Sequence, residues 1–297
     1  MFKYTTRVLA IASLTLAPLA PTAAQDPGTM LPPPSESGYA PVNGVEVYYS
    51  VYGTGEPLVL LHGGLMTTEM FGPVLTALAE GRQVIGIELQ AHGHTLPFDR
   101  PMSWDALATD VAEVIRYLGH EDADVMGYSL GGGVALRTAI DHPDVVDQLV
   151  VVSAPYAFSG WHDFNRQGMR AMGPELAEGM VGTPLHQAYV QAAPDPENFP
   201  RLLEQMGEFI GEDYDWSADI DGIEAPTLLV VADHDSVRIS HATAFFELLG
   251  GGQADGGWDG AGMTPNRFAV IPDATHYTIG ADPRLGETVI RFLDAKE

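Results

Sequence analysis

The sequence predicts an α/β fold, a mostly parallel sheet with helices on both faces and an inserted helical lid. Three observations predict it. Short apolar runs rich in Val, Ile and Leu, expected of strands covered on both faces, alternate with segments of helical spacing. That alternation breaks between about residues 156 and 223. A serine set among glycines stands where one apolar run gives way to a helix-like stretch.

The strand-type runs are residues 45–49, 58–61, 84–89, 124–128, 148–152, 227–231 and 268–271. Between the third and fourth, Trp104, Leu107, Val111, Val114, Ile115 and Leu118 recur at intervals of three and four. Ser103 precedes them as an N-cap and Gly119 follows as a C-cap. Residues 130–141, 240–249 and 283–295 read as further helices. Within residues 156–223, Pro, Gly, Met and aromatics mix without a strand-like run, so this stretch reads as a lid with helices near 163–172 and 198–210. Residues 250–266 are glycine-rich and read as a long loop on the same side of the sheet. Ligand sites in such sheets lie beyond the carboxyl ends of the strands.

The chain has 297 residues, enough for one domain of this kind over residues 41–297. Lys3 and Arg7, an apolar run over residues 8–20, and Thr22-Ala23-Ala24 follow the order of a secretory signal peptide spanning residues 1–24. That order implies a periplasmic or secreted protein with no stable membrane anchoring after cleavage. Residues 25–40, rich in Pro, Ser and Gly, read as a flexible linker. The absence of cysteine excludes disulfides, a thiolate nucleophile and a cysteine-based zinc site. Lys and Arg number 14 against 40 acidic residues, a formal charge of −26, so nucleic acid is not an expected partner.

The chemistry starts at Gly127-Tyr128-Ser129-Leu130-Gly131-Gly132. A sharp strand-to-helix turn needs such glycines, because side chains beside the serine would collide with the strand or the helix. Acyl transfer on a serine also needs a base within hydrogen-bond reach and an acid to orient it. His276 and Asp235 each lie just past a strand-type run, as Ser129 does. Asp233 stands close by as a rival acid. His62-Gly63-Gly64 follows the run 58–61, and the backbone N–H groups of Gly64 and Leu130 are the expected oxyanion donors. His62 reads as a structural residue that hydrogen-bonds loop backbone. Met66, Tyr128 and Trp161 border these loops and are the expected substrate-binding residues. No metal or organic cofactor is required.

These motifs, with Ala232-Asp233-His234-Asp235 and Ala274-Thr275-His276, resemble the α/β-hydrolase superfamily over residues 40–297, in particular its lid-bearing esterase-like members. The resemblance implies a serine hydrolase acting on carboxylic esters through an acyl-enzyme; apolar residues near the site, with no basic cluster, suit a small uncharged or aromatic ester. The family usually has Gly-x-x-Asp where this chain has Ala232 to Asp235, and commonly has Gly where Ala91 stands in the loop Gln90-Ala91-His92-Gly93-His94-Thr95. Some relatives carry the acid after the preceding strand, but here Ser153-Ala154-Pro155-Tyr156 offers no carboxylate. Thioester, lactone or carbon–carbon bond hydrolysis and cofactor-free perhydrolysis would use the same groups. Epoxide hydrolases and hydrolytic dehalogenases carry an aspartate where Ser129 stands. A ligand-binding protein without turnover is the reading from another class. Oligomeric state is left open by the sequence.

Overall fold

A computed structural model describes Leu31 and residues 33–295, so the signal peptide expected over residues 1–24 lies outside the described residues. The strands are β1 (Glu36–Val42), β2 (Val45–Tyr52), β3 (Glu56–Leu61), β4 (Arg82–Ile87), β5 (Ala123–Tyr128), β6 (Val146–Val152), β7 (Thr227–His234) and β8 (Arg267–Thr275). The helices are α1 (Pro73–Ala79), α2 (Trp104–Tyr117), α3 (Leu130–Asp141), α4 (Asp163–Arg170), α5 (Ala177–Met180), α6 (Pro184–Ala192), α7 (Phe199–Ile210), α8 (Ile239–Leu248) and α9 (Pro283–Leu293). All eight strands form one sheet in the order β1-β2-β4-β3-β5-β6-β7-β8. β1, β2 and β4 pair antiparallel, and every pairing from β4 to β8 is parallel.

This order places the site. The chain runs from β3 outward to β4, then returns across β3 to β5, so β3 and β5 are neighbours whose following loops diverge. Such a switch point opens a crevice at the carboxyl ends of the strands. Leu61 at the end of β3 pairs with Gly127, two residues before Ser129. The central strands are buried over residues 58–61 of β3, all of β5 and residues 148–152 of β6, where their sequences are mostly apolar. Side chains of α2, α3 and α8 fill one face of the sheet, and those of α1 and α9 fill the other. On α2 the Ser103 side chain accepts from the Ala106 N–H, and Gly119 takes a positive φ of 85° just past the end.

Two expectations need correction, and one helix, α1, had none. The linker expected over residues 25–40 ends sooner, because Glu36–Val42 is a strand paired along its whole length with β2. Its sequence, ESGYAPV, has too few apolar side chains for a strand signal, since only Ala40 and Val42 are buried on this edge. α1 is only seven residues long, and its sequence carries no period to read. The glycine-rich segment 250–266 joins α8 to the start of β8, so it lies at the amino ends of the strands. There the Asn266 side chain accepts from the Thr227 N–H and donates to the Leu249 carbonyl.

Between β6 and β7 the chain forms α4 to α7, the helical insertion expected there. α7 packs Phe199, Leu202, Leu203, Met206 and Phe209 into the main core, whereas α4 buries none of its side chains.

Candidate active site

Ser129 follows β5 directly and caps α3, with φ 54° and ψ −114°. For a non-glycine residue this is a strained conformation, held by the packing around it. A Cβ on Gly127 would lie 2.0 Å from the Gly131 carbonyl oxygen, and one on Gly131 would lie 2.3 Å from that of Leu61. Helix α3 therefore approaches the sheet more closely than side chains allow, and the turn lifts the Ser129 hydroxyl clear of the backbone.

The Ser129 Oγ lies 3.0 Å from His276 Nε2, and His276 Nδ1 lies 2.9 Å from Asp235 Oδ1. Asp235 is buried and its oxygens are satisfied. The Val237 N–H donates to Oδ1 at 3.1 Å; the Ala232 N–H and the Ser153 hydroxyl donate to Oδ2 at 2.9 and 2.5 Å. Burial pushes the Asp235 carboxyl up, but the hydrogen bond and charge of His276, with the Ser153 and Ala232 donors, outweigh it and hold the carboxyl below its ordinary value. An imidazole held between a carboxylate and a hydroxyl can take the hydroxyl proton and pass it on.

Asp233 has a different position. Its carboxylate accepts the backbone N–H groups of Asp273 and Ala274 at 3.0 and 3.1 Å, and its Oδ1 lies 3.0 Å from exposed His234. It clips the turn that carries His276 and does not reach the imidazole ring in this arrangement. Ser153, at the end of β6 with a φ of 52°, is fully buried and reaches Asp235 directly. Sequence reading found no carboxylate at this place and so passed over the hydroxyl that supports one.

Gly64 and Leu130 line the same cavity as Ser129 and His276. Leu130 is the first residue of α3, where a backbone N–H has no acceptor within the helix. His62 fixes the other donor's turn: its Nδ1 lies 2.8 Å from the Gly63 carbonyl, and the Leu89 N–H donates to Nε2 at 3.1 Å. One ring nitrogen must carry a proton and the other must not, so a neutral imidazole fits this place. Burial, then neighbouring His92, pushes its pKa down to about 3. The His62 carbonyl also accepts the Gly131 N–H at 3.0 Å, which ties the β3 loop to α3. In the next loop Ala91 adopts φ 65°, a conformation that explains why glycine suits this position.

The cavity over Ser129 measures about 350 Å³. Of the expected binding residues, only Trp161 lines it, with its ring edge-on to His276 at 5.5 Å between centroids. Tyr128 and Met66 do not. The Tyr128 side chain turns under the site, where its hydroxyl donates to the His276 carbonyl and its ring meets Phe71 edge-on. In a strand, side chains alternate between faces, so adjacency to Ser129 in sequence does not place Tyr128 in the cavity. Met66 packs among the residues of the α1 side of the sheet. The walls come instead from Trp104 on α2 and from the insertion, including Met172, Met206 and Ile210. The two arginines of α4 are paired with acids: Arg166 with Asp163, and Arg170 with Asp213.

Residues 56–252 match the family described as the alpha/beta hydrolase fold. The chain belongs to that family. This α/β hydrolase is 37% identical to a soluble epoxide hydrolase of Corynebacterium sp. over 116 residues, 38% of this chain and 40% of that one. It is 26% identical to a putative carbamate hydrolase, RutD, of Azorhizobium caulinodans over 225 residues, 68% of this chain and 82% of that one. Matches to the first of these relatives and to sn-1-specific diacylglycerol lipases of Xenopus laevis and Danio rerio span 40%, 36% and 39% of the relatives' own length. Among solved structures, a serine hydrolase involved in carbazole degradation superposes with a TM-score of 0.69 at 22% identity, over 88% of this α/β hydrolase and 99% of that chain.

Proposed function

We propose that this α/β hydrolase cleaves carboxylic esters by acyl transfer through Ser129, His276 and Asp235. The observation that carries this reading is the unbroken chain Ser129 Oγ, His276 Nε2, His276 Nδ1, Asp235 Oδ1, with links of 3.0 and 2.9 Å, opening into a largely apolar cavity. His276 takes the Ser129 proton as the Oγ–carbon bond forms at the ester carbonyl. Asp235 orients the imidazole and stabilises its cationic form. The N–H groups of Gly64 and Leu130 bind the oxygen that becomes negative. The carbon–oxygen bond to the alcohol then breaks, and His276 gives its proton to the departing oxygen. A water molecule, deprotonated by His276, releases the acid and returns Ser129.

The relatives' names span epoxide, carbamate and diacylglycerol chemistry, so the family alone leaves the bond open. A hydroxyl paired to an imidazole favours attack on an acyl carbon. A cavity without a cationic side chain in its wall favours an uncharged substrate.

A fluorophosphonate probe followed by a series of chromogenic esters tests the proposal. The unmodified protein is expected to label at Ser129 and to turn over esters, while Ser129→Ala loses labelling and at least about 10⁴-fold of its turnover. Absence of labelling in the unmodified protein would sink the serine-hydrolase reading. Labelling without ester turnover would redirect it to thioester, lactone or carbon–carbon bond cleavage. Export remains the reading of residues 1–24 alone.

A further inference from the structure

The walls of the cavity differ in chemistry, and the reaction fixes which half of a substrate meets each wall. This inference rests on the ester reading above. The carbonyl oxygen must point at the Gly64 and Leu130 N–H groups. The alcohol oxygen must lie near His276 Nε2, because that nitrogen returns the proton to it. The acyl group therefore extends away from His276, and the alcohol stays beside it.

On the oxyanion side the wall is hydrocarbon. Met206 packs against Gly64, where a Cβ would lie only 2.9 Å from its terminal methyl. Trp104 lies over Gly133 in the same way, 2.6 Å from the place of a Cβ, and Leu130 and Ile210 line the same cavity. On the His276 side Trp161 and Tyr277 stand edge-on to the imidazole, and two polar side chains join them. Next to Asp235 in the chain, the buried residue Ser236 lines the cavity together with Asn165 of α4. Asn165 Nδ2 donates to Ser236 Oγ at 3.0 Å. That bond orients the amide and leaves the Ser236 hydroxyl as a donor and Asn165 Oδ1 as an acceptor. A donor and an acceptor side by side, without charge, complement an alcohol O–H, which both accepts and donates.

The geometry points to an ester that joins an apolar acyl group to a short polyol, with a free hydroxyl of the alcohol held by Asn165 and Ser236. Acyl transfer then balances as before: the Ser129 Oγ–acyl bond forms, the acyl–alcohol bond breaks, and the Ser129 proton leaves on the polyol by way of His276. The free hydroxyl keeps its proton and serves only to position the alcohol.

The test compares 2,3-dihydroxypropyl hexanoate with propyl hexanoate, which share acyl group and carbon skeleton. In the unmodified protein kcat/KM is expected to favour the diol ester by about tenfold, the order of two hydrogen bonds that the propyl ester leaves unmade. Asn165→Leu should bring the ratio of the two esters close to one. Ser236→Ala should lower the ratio part of the way. Fluorophosphonate labelling of Ser129 accompanies each measurement. A ratio near one in the labelled, unmodified protein overturns the polyol assignment and leaves the ester reading standing. A ratio unchanged in both variants also overturns it. No labelling and no turnover of either ester in the unmodified protein overturns both readings together.

Discussion

The loops at the strand ends and the inserted helices meet at one cavity, yet they are built differently. The loops hold the Ser129, His276 and Asp235 side chains through short hydrogen bonds to buried partners. The insertion contributes chiefly surface: Trp161, Met172, Met206 and Ile210 line the cavity, and Asn165 adds polarity at one point. Within the insertion the contrast repeats, with α7 sunk into the main core and α4 resting on it without a buried side chain. The candidate reacting groups thus sit on hydrogen-bonded loops, and much of the cavity wall on helices buried to unequal degree.

The largest expected effect breaks the symmetry between the two neighbouring acids. Asp235→Asn should cost about 10³- to 10⁴-fold in kcat, because an amide supports the wrong imidazole tautomer. Asp233→Asn should cost less than about tenfold, since it only loosens the turn before His276. Steady-state kinetics on both variants decides this, and equal losses would contradict the geometry. In the insertion, Met206→Ala should destabilise the fold by about 2–5 kcal/mol in urea unfolding, as a large-to-small change in a packed core does. Phe164→Ala, at a side chain 82% exposed, should stay within about 0.5 kcal/mol.

A smaller effect concerns the support of the acid. Ser153→Ala removes one of the donors that hold the Asp235 carboxyl below its ordinary value. The expected loss is about tenfold in kcat, and the acid limb of the pH–rate profile should move to higher pH. A loss of rate with an unmoved acid limb would assign Ser153 to packing alone.

A further effect is seen in stability against pH. Burial pushes the pKa of His92 down to about 4 and that of His62 to about 3. The unfolded chain protonates both below about pH 6.5, whereas the folded protein refuses those protons until near pH 4 and pH 3. Stability contributed by each is therefore present above the unfolded value and lost as pH falls through that window, by about 1.4 kcal/mol per pH unit per group. His92→Gln should flatten the urea midpoint against pH between about 6 and 4.5 by one proton's worth. An unchanged slope would show that His92 takes up its proton while folded.

The fold was legible wherever a strand is buried on both faces, because the buried stretch must be mostly apolar; residues 58–61 of β3, 125–128 of β5 and 149–152 of β6 are of this kind. Ser129, Asp235 and His276 were legible because a strand, a sharp turn and a helix leave local marks in glycine and apolar spacing. β1 left no such mark, since an edge strand buries little. Met66 and Tyr128 were misplaced because nearness in sequence says nothing about which face of the sheet a side chain joins.

The sequence by itself determined the parallel sheet, the order of the reacting groups and the turn that exposes Ser129, since each depends on sterics within a few residues. Only the tertiary structure decided that Asp235 rather than Asp233 meets His276, that Ser153 supports it, and that α4 adds Asn165 as one polar point to a cavity that α7 lines with Met206 and Ile210. Those choices depend on contacts between segments far apart in the chain, where packing and hydrogen-bond satisfaction select one arrangement.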